Sequence, residues 1–518
     1  METFEKKAHV KNGILRLIFI TLSVSLQITL IIILTLSRFE KYAEIIAITS
    51  RILAFLLVLA IYSQHKSPSI KMPWIILSLI FPAIGVSLYV MLGLSGSTAF
   101  MKKRYEKIDT LISPHLIQNP NTWNLLNKES YPCLGINKYI LEQSGFPVYQ
   151  NTKINYYPDA SLSLEAQKHA MKNAKNFIFL EYFAIENSLC WQEIEDILTE
   201  KVKEGVDVRV FYDDLGSIGY INFDFAKKLN KTGIKCRTFN PMTPFFNLFL
   251  NNRDHRKMTI IDNHIGFTGG YNLANEYFNI TSPYGHWKDT GIRLEGDGVR
   301  SMTLAFLNMW YASRQEKNIE FSIDKYLEKY PDKINAPGFV QFFTDTPMDN
   351  KLIGEDVYLN IINEARKYIY IMTPYLIITD EMSRMLGLAA KKGVDVRIIT
   401  PGIPDKKIIY KLTRSYYNHL AFDGVRIFEY TPGFCHAKMC VSDDIIATCG
   451  TINLDYRSLY HHFEDGCVLT NCDAVIKIKE DFDNTFQQCT EVTDKYSHGR
   501  SAFLKISQLF LRLFAPLM

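Results

Sequence analysis

Apolar residues are concentrated near the start of the chain, in two runs without a charged residue at positions 17–36 and 74–94. As a helix, each run is long enough to cross about 30 Å of hydrocarbon. A third apolar run, at positions 45–62, is interrupted by Arg51, and a charge near mid-bilayer costs about 3 kcal/mol. The pattern predicts two membrane-spanning helices, with the middle run as a weaker, interfacial segment that could also cross.

The residues that flank these runs indicate whether the first run is cleaved and how the chain is oriented in the membrane. No small-residue cleavage site follows Leu36 before the next apolar segment, so a cleaved signal peptide does not fit. Buried helices of a soluble domain stay open as an alternative. Basic residues before the first run and at positions 102–104 both favour the cytoplasmic side, and two crossings satisfy both. We expect a multi-pass protein of the cell membrane, with the rest of the chain at the cytoplasmic face.

From about residue 140 the pattern repeats itself. Apolar, strand-like runs at 176–182 and 367–375 are each followed by a helical stretch and then by the same sequence, Gly-Val-Asp-Val-Arg, at 205–209 and 393–397. Strand, helix, glycine turn and buried strand in this order are typical of an α/β fold with parallel pairing. We predict a duplicated α/β unit, with these divisions of the chain: a membrane anchor at 1–100, a linker at 101–139, a first domain at 140–330 and a second at 331–518.

Each predicted domain contains the pattern H-x-K-x4-D. An asparagine follows both histidines at the same spacing, so the register holds beyond the motif. Two such motifs at matching positions of a repeat make a chance match improbable. The candidate catalytic residues are therefore His255, Lys257 and Asp262 in the first domain and His436, Lys438 and Asp443 in the second, with Asn272 and Asn453 as candidate substrate-binding residues.

Alternation of side chains along a strand places the histidine and lysine of each motif on one face. Pairing of the two domains would bring two imidazoles and two ammonium groups to one pocket, which suits a phosphate ester. One histidine can attack phosphorus and form a phosphohistidine, while the other protonates the leaving alkoxide and then deprotonates the incoming alcohol. The lysines and asparagines would stabilise charge on the non-bridging oxygens. As strand-end carboxylates, Asp262 and Asp443 are expected to support the structure rather than react.

Composition narrows the chemistry further. Lys and Arg number 58 against 54 Asp and Glu, a net charge of +4, which gives no case for a nucleic-acid partner. The 9 cysteines show no C-x-x-C spacing and indicate neither a zinc site nor a disulfide framework. We expect no cofactor, no metal and no obligate protein partner.

With these residues identified, the chain resembles the phospholipase D superfamily, and specifically bacterial cardiolipin synthases, across nearly its whole length. The resemblance also covers the stretches 270–277, 287–290, 373–375, 414–417, 453–458 and 463–464. It implies a mixed sheet between helices in each half, a pseudo-twofold axis and an active site at the seam, with Glu276 and Glu464 among the substrate-binding residues. His461-His462 departs from the family pattern, in which an asparagine is typical at this place.

The resemblance implies a transferase. A phosphatidyl group would pass from one phosphatidylglycerol to a histidine and then to the hydroxyl of a second phosphatidylglycerol, giving cardiolipin and glycerol. The sequence leaves open which histidine is the nucleophile, the donor and acceptor lipids, and the alternatives of hydrolysis by water, a nuclease or a scaffold with a decayed site. The near-neutral charge and the predicted spans disfavour a nuclease, and the intact motifs disfavour a scaffold.

Overall fold

The computed structural model describes residues 25, 29, 43–64, 67–90, 98–129, 134–241, 252–313, 323–328, 334–349, 351–497, 511–513 and 515. Its first elements are the helices α1 (Ala43–Tyr62), α2 (Pro68–Ile80) and α3 (Pro82–Leu88). Except for two single positions, the predicted span at 17–36 lies outside the described residues. Of the predicted span at 74–94, residues 74–88 are divided between α2 and α3, which meet at Phe81 and Pro82, and positions 91–94 lie outside the described residues. Within the described residues, no helix is both long and apolar enough to cross a membrane.

Residues predicted as a linker form helices that contact both halves of the chain. These helices are α4 (Thr98–Ile112), α5 (Pro120–Glu129) and α6 (Leu134–Ser144), with a 3₁₀ turn at Ser113–His115. The amide of Asn308 in the first half donates to Asp109 of α4 at 3.0 Å. Asn137 of α6 donates to Gln341 in the second half at 2.8 Å. The predicted domain boundaries stay predictions.

The first half is built on a seven-stranded mixed sheet. Its part of the chain contains β1 (Thr152–Tyr157), β2 (Phe177–Tyr182), β3 (Asp207–Asp213), β4 (Lys235–Phe239), β5 (Arg253–Asp254), β6 (Lys257–Ile261), β7 (Ile265–Gly269), β8 (His286–Lys288) and β9 (Gly291–Gly296). The sheet order is β1-β9-β7-β6-β2-β3-β4, with β2, β3 and β4 parallel and the other pairs antiparallel. The helices are α7 (Ala160–Lys172), α8 (Leu189–Lys203), α9 (Asp214–Ser217), α10 (Phe225–Lys231) and α11 (Val299–Ala312), with 3₁₀ turns at Asn275–Phe278 and Asp324–Tyr326.

The second half repeats this arrangement. Its strands are β10 (Phe339–Asp345), β11 (Tyr368–Met372), β12 (Leu376–Ile377), β13 (Asp395–Pro401), β14 (Arg426–Tyr430), β15 (Gly433–Cys435), β16 (Met439–Ser442), β17 (Ile446–Gly450), β18 (Leu454–Asp455), β19 (His462–Thr470) and β20 (Cys489–Glu491). The order β10-β19-β17-β16-β11-β13-β14 matches that of the first sheet strand for strand, and β20 extends it. The helices are α12 (Ile353–Glu364), α13 (Asp380–Lys391), α14 (Lys407–Phe422), α15 (Tyr456–Tyr460), α16 (Asp473–Phe486) and α17 (Thr493–Ser497).

The repeated Gly-Val-Asp-Val-Arg sequence forms the same turn in both halves. Gly205 and Gly393 have φ angles of 91° and 97°, a left-handed conformation that costs glycine little. Each turn ends a helix and starts a strand, β3 or β13, that lies inside its sheet. The prediction of a duplicated α/β fold with mixed sheets is confirmed.

The halves share a core and exchange short strands. One hydrophobic cluster includes Phe179 of β2 and Ile371 of β11, so apolar packing is continuous across the seam. Strand β5 of the first half pairs in parallel with β19 of the second, and β15 of the second pairs in parallel with β8 of the first. These two reciprocal pairings bring the H-x-K-x4-D motifs to the seam.

Candidate active site

Each motif histidine directly follows a short strand that is paired with the other half. The backbone N–H of His255, after β5, donates to the carbonyl of Phe463 at 2.9 Å. In the same way, the N–H of His436, after β15, donates to the carbonyl of Lys288 at 2.7 Å. Backbone hydrogen bonds between the halves therefore fix where both imidazoles stand.

Both histidines pair with a carboxylate of the opposite half. The Nδ1 atom of His255 lies 2.9 Å from Oε1 of Glu464, and Nδ1 of His436 lies 2.7 Å from Oδ2 of Asp289. The two carboxylates are fully buried. Because a carboxylate only accepts hydrogen bonds, each Nδ1 carries the proton and donates it, which leaves the lone pair of the neutral imidazole at Nε2. Both rings are thereby oriented for nucleophilic or general-base work through Nε2.

Further contacts hold the two carboxylates. Glu464 accepts hydrogen bonds from the hydroxyls of Thr451, at 2.5 Å, and Ser458, at 2.6 Å. Asp289 accepts from the backbone N–H of Thr290 at 2.9 Å. Burial raises the pKa of both carboxylates, but neighbouring charges lower it overall: Lys438 and then His436 act on Asp289, and His255 acts on Glu464, with hydrogen bonds adding to the effect. These acids are therefore ionised at neutral pH.

The motif lysines lie beside their own histidines. Lys257 Nζ donates to the carbonyl of His255 at 2.6 Å, and Lys438 Nζ donates to the carbonyl of His436 and lies 2.8 Å from its Nδ1. Burial lowers the pKa of Lys257 to about 8 and that of Lys438 to about 7. The ammonium groups therefore lose their protons close to neutral pH.

Burial is also the main cause of the low pKa values of the histidines, about 4 for His255 and about 3 for His436. Lys438 contributes to the lowering at His255, and Lys257 to that at His436. Each imidazole thus senses the lysine of the other half, as expected if the two motifs converge on one pocket. Before an anionic ligand binds, both imidazoles are neutral at pH 7.

Asn272 and Asn453, predicted as an equivalent pair, have different surroundings. Asn272 accepts from the N–H of Ala184 at 3.0 Å and donates to the hydroxyl of Tyr277 at 2.8 Å. Asn453 is buried, and within the described part of the chain its Oδ1 has no hydrogen-bond partner. Asn272 thus holds the wall of the pocket, whereas the carbonyl oxygen of the Asn453 amide can still accept a hydrogen bond.

The two glutamates predicted to bind substrate also differ. Glu276 lies on the 3₁₀ turn beside Tyr277, and burial raises its pKa to about 7. Glu464 instead orients His255, with both carboxylate oxygens engaged in hydrogen bonds. Sequence reasoning assigned no such role to Asp289, the counterpart of Glu464, although Asp289 lies in the stretch 287–290 that carries part of the family resemblance. Only a contact across the seam identifies this pair of acids.

Asp262 and Asp443 lie at the far ends of strands β6 and β16 from their lysines. Asp262 accepts from the backbone N–H groups of residues 175–177 at 2.7, 2.8 and 2.8 Å. Asp443 accepts from those of residues 366–368 at 2.8, 2.8 and 2.9 Å. In both halves the motif aspartate fastens the start of the central strand, β2 or β11, and so supports the position of the strand that carries the lysine.

Aromatic rings surround the histidines. The rings of Trp287, Phe434 and Tyr277 have centroids 5.3, 5.7 and 5.3 Å from that of His436. Phe183 lies 5.0 Å from His255 by the same measure. The indole N–H of Trp287 is buried without a hydrogen-bond partner in the described structure. Such walls limit the access of water to the reacting atoms.

A third histidine stands behind His255. The ring centroid of His462 is 5.3 Å from that of His255, and its Nδ1 is 3.6 Å from Oε1 of Glu464. Ligand atoms of His255, His462 and Glu464 all lie within 4.8 Å of one another, close enough to hold a metal ion. No metal-ligand cluster is visible in the sequence, because these residues come together only in the fold.

Comparisons with known proteins agree with this geometry. A family model described as "Cardiolipin synthase, PLD-like domain" matches residues 168–283 and 358–488, one segment for each motif. An uncharacterised protein of Streptococcus mutans is 43% identical over 88% of this chain and 98% of its own. A cardiolipin synthase of Halalkalibacterium halodurans is 30% identical over 89% of this chain and 91% of its own.

Among solved structures, the crystal structure of a phosphatidylserine synthase from Haemophilus influenzae has a TM-score of 0.54 with 14% identity and covers 74% of this chain and 97% of that one. At this identity the likeness concerns the fold, which is the duplicated phospholipase-D-like α/β fold. The family model and the sequence relatives identify the family as well as the fold. The chain belongs to the cardiolipin synthase family.

Proposed function

We propose that this chain is a cardiolipin synthase. It transfers the phosphatidyl group of one phosphatidylglycerol to the hydroxyl of a second through a phosphohistidine, and it releases glycerol. The observation that carries the proposal is the pair of neutral imidazoles, each oriented by a buried carboxylate of the opposite half. The similarity to the Halalkalibacterium halodurans cardiolipin synthase supports the choice of lipid.

In the first step, Nε2 of His255 attacks phosphorus and the bond from phosphorus to the glycerol oxygen breaks. The bound phosphodiester is anionic and favours protonation of His436, whose imidazolium Asp289 stabilises. His436 gives its Nε2 proton to the leaving glycerol oxygen and becomes neutral. The choice of His255 as nucleophile rests on the family resemblance, since the two half-sites are nearly symmetric.

In the second step, neutral His436 takes the proton from the hydroxyl of the second phosphatidylglycerol. That oxygen attacks phosphorus, the bond to His255 breaks, and both histidines return to their starting states. Lys257 and Lys438 stabilise the charge on the non-bridging oxygens in both steps, and the side-chain N–H groups of Asn453 would add hydrogen-bond donors.

Transfer requires that lipid outcompetes water at the phosphohistidine. A reactant held in place can reach an effective concentration of about 10⁵ M or more, which far exceeds that of bulk water. The aromatic rings around His436 favour this outcome, because they restrict water at the side from which the acceptor approaches. Transfer is therefore favoured over hydrolysis at this site.

We also propose that the N-terminal region seats the enzyme in the cell membrane as a multi-pass anchor, with the catalytic halves at the cytoplasmic face. Helices α1 to α3 expose large apolar side chains on several faces, among them Ile45 at 62%, Phe55 at 60% and Ile80 at 62% exposure. Helices that are apolar on all sides need an apolar environment. The predicted span at 17–36 would complete the anchor.

The direct test supplies purified full-length protein, in lipid vesicles, with phosphatidylglycerol labelled in its glycerol headgroup. The proposal expects labelled free glycerol and cardiolipin that retains one labelled glycerol bridge, detected by mass spectrometry. Failure to form any cardiolipin while the protein is folded and membrane-bound would refute the assignment.

A further inference from the structure

His462 is buried and has unused hydrogen-bonding capacity. It is 8% exposed, and among the described residues neither ring nitrogen has a hydrogen-bond partner within 3.5 Å; the carboxylate of Glu464 lies just beyond this distance, at 3.6 Å from Nδ1. Buried polar atoms without a close partner are unfavourable, because they lose the hydrogen bonds that water would supply. The reaction proposed above gives this residue no task, because it stands on the Nδ1 side of His255, behind the attacking nitrogen.

Two residues beside His462, Glu464 and His255, are good metal ligands. Glu464 Oε1 lies 3.6 Å from its Nδ1 and 2.9 Å from Nδ1 of His255. In a tetrahedral zinc site, bonds to imidazole and carboxylate are about 2.0–2.2 Å long, which places ligand atoms about 3.3–3.6 Å apart. The ligand atoms of the three residues, all within 4.8 Å of one another, need only small side-chain movements to meet this geometry.

We propose that His255, His462 and Glu464 form a site for a divalent transition-metal ion, with Zn²⁺ the best match, and that the bound ion inhibits the enzyme. Two imidazoles and one carboxylate suit zinc and leave a fourth position for water. A hard cation such as Mg²⁺, which prefers oxygen ligands, is a poor match.

Inhibition follows from the chemistry of the imidazole ring. In the neutral ring one nitrogen carries a proton and the other a lone pair. If Nδ1 of His255 binds the ion, the proton moves to Nε2, and the lone pair that attacks phosphorus is lost. If Nε2 binds the ion instead, the same lone pair is occupied. Metal binding and nucleophilic attack by His255 therefore exclude each other.

Binding of the ion does not depend on the proposed lipid reaction, whereas its effect on the rate does. The test accordingly measures both on full-length protein freed of metal by chelator. Equilibrium dialysis with Zn²⁺ should show one ion bound per wild-type chain, and the affinity should fall at least about tenfold in His462→Asn, since even indirect ligand contacts are worth that much. The matched control, His461→Asn, removes the adjacent imidazole and should bind as the wild type does.

The rate of cardiolipin formation is then followed as Zn²⁺ is added, with each variant compared with its own metal-free rate. Wild type and His461→Asn should be inhibited at similar concentrations, His462→Asn only at concentrations at least about tenfold higher, and excess chelator should restore activity. Zinc binding by His462→Asn as tight as that of the wild type would overturn the site. One-to-one binding at the cluster without inhibition would overturn the regulatory effect alone.

A measurement on the wild type covers the case in which His462→Asn does not fold. X-ray absorption of the zinc-loaded protein should show two imidazole ligands and light oxygen ligands at the bound ion. A spectrum dominated by sulfur, or with fewer than two imidazoles, would place the ion elsewhere and refute the proposal. If the lipid reaction itself proves different, the stoichiometry and this spectrum remain decisive for the metal site.

Discussion

Nδ1 of His255 lies 2.9 Å from Oε1 of Glu464, although the two residues belong to opposite halves of the chain and are 209 positions apart. The same contact is made in the opposite direction between the halves, by His436 of the second half and Asp289 of the first. Each half thus supplies a reactive imidazole and the acid that orients the imidazole of the other half. A single half would contain a histidine without its acid.

The first prediction concerns these acids. Glu464→Gln and Asp289→Asn keep the shape of the side chain but can present an N–H to Nδ1, which favours the tautomer with its proton on Nε2. We expect the rate of cardiolipin formation to fall by about 10²–10⁴-fold in either variant, the range of a lost general acid-base contribution. The measurement is kcat in vesicles that contain phosphatidylglycerol.

A matched control is Glu491→Gln, which breaks a partly exposed ion pair with Arg426 away from the seam. Its rate should stay close to that of the wild type. Equal losses in Glu491→Gln and Glu464→Gln would indicate a general effect on folding, and wild-type rates in both acid variants would contradict the assigned roles.

The second prediction separates the histidines. His255→Ala and His436→Ala should both abolish product formation while the protein folds and enters membranes. The covalent adduct, trapped by rapid acid or base quench with labelled lipid, should map to His255 in the wild type. His436→Ala should still form some adduct on His255, because that variant loses only the protonation of the leaving group. An adduct on His436 in the wild type would instead show that the two histidines have the opposite roles.

Much of this site could be predicted from the sequence, because the repeat is local. Two H-x-K-x4-D motifs in matching positions predicted a paired phosphate site, and the Gly-Val-Asp-Val-Arg turns predicted the duplicated sheets. The motif aspartates were predicted to support structure, and Asp262 and Asp443 each fasten three backbone N–H groups.

Contacts between distant parts of the chain could not be predicted in this way. Asp289 and Glu464 have no common local motif, and only the exchanged strands β8 and β15, and β5 and β19, bring them to the histidines. The cluster around His462 depends on the same exchange. At the N-terminus, hydropathy predicted a continuous run at 74–94, but Pro82 lacks the N–H that would continue α2, and a new helix starts there.

The third prediction is a pH dependence that comes from the lysines. Activity needs both ammonium groups to hold the phosphate, so it should decline as pH rises through about 7 and about 8, the pKa values of Lys438 and Lys257. On the acid side, loss should begin only as His255 gains a proton, near its pKa of about 4. A profile of kcat against pH checks both limbs, because kcat reports the complex in which the bound phosphodiester favours the proton on His436.

Replacing the lysine of lower pKa isolates its contribution. In Lys438→Arg the guanidinium stays charged throughout the accessible range, so whatever activity remains should lose the limb near pH 7 and keep the one near pH 8. An alkaline limb that is unchanged in Lys438→Arg would show that another group controls it.

The fourth prediction concerns metal removal. Because Lys257 and Lys438 are assigned the charge of the phosphate, excess chelator should leave activity unchanged, or raise it if the preparation contains zinc. The measurement is the rate before and after exhaustive dialysis against chelator. A full loss of activity that one particular divalent ion restores would contradict the role given to the lysines.

The central claim is that the site passes the phosphatidyl group to a lipid hydroxyl rather than to water, and the ratio of products measures it most directly. Purified full-length protein is added to vesicles of phosphatidylglycerol, and cardiolipin, free glycerol and phosphatidic acid are quantified by mass spectrometry. A variant without residues 1–94 serves as comparison and should bind vesicles more weakly and transfer more slowly. The account predicts cardiolipin and glycerol in a ratio of about one to one with little phosphatidic acid, because a held lipid outcompetes water. Mainly phosphatidic acid from the full-length protein would contradict it and identify a hydrolase.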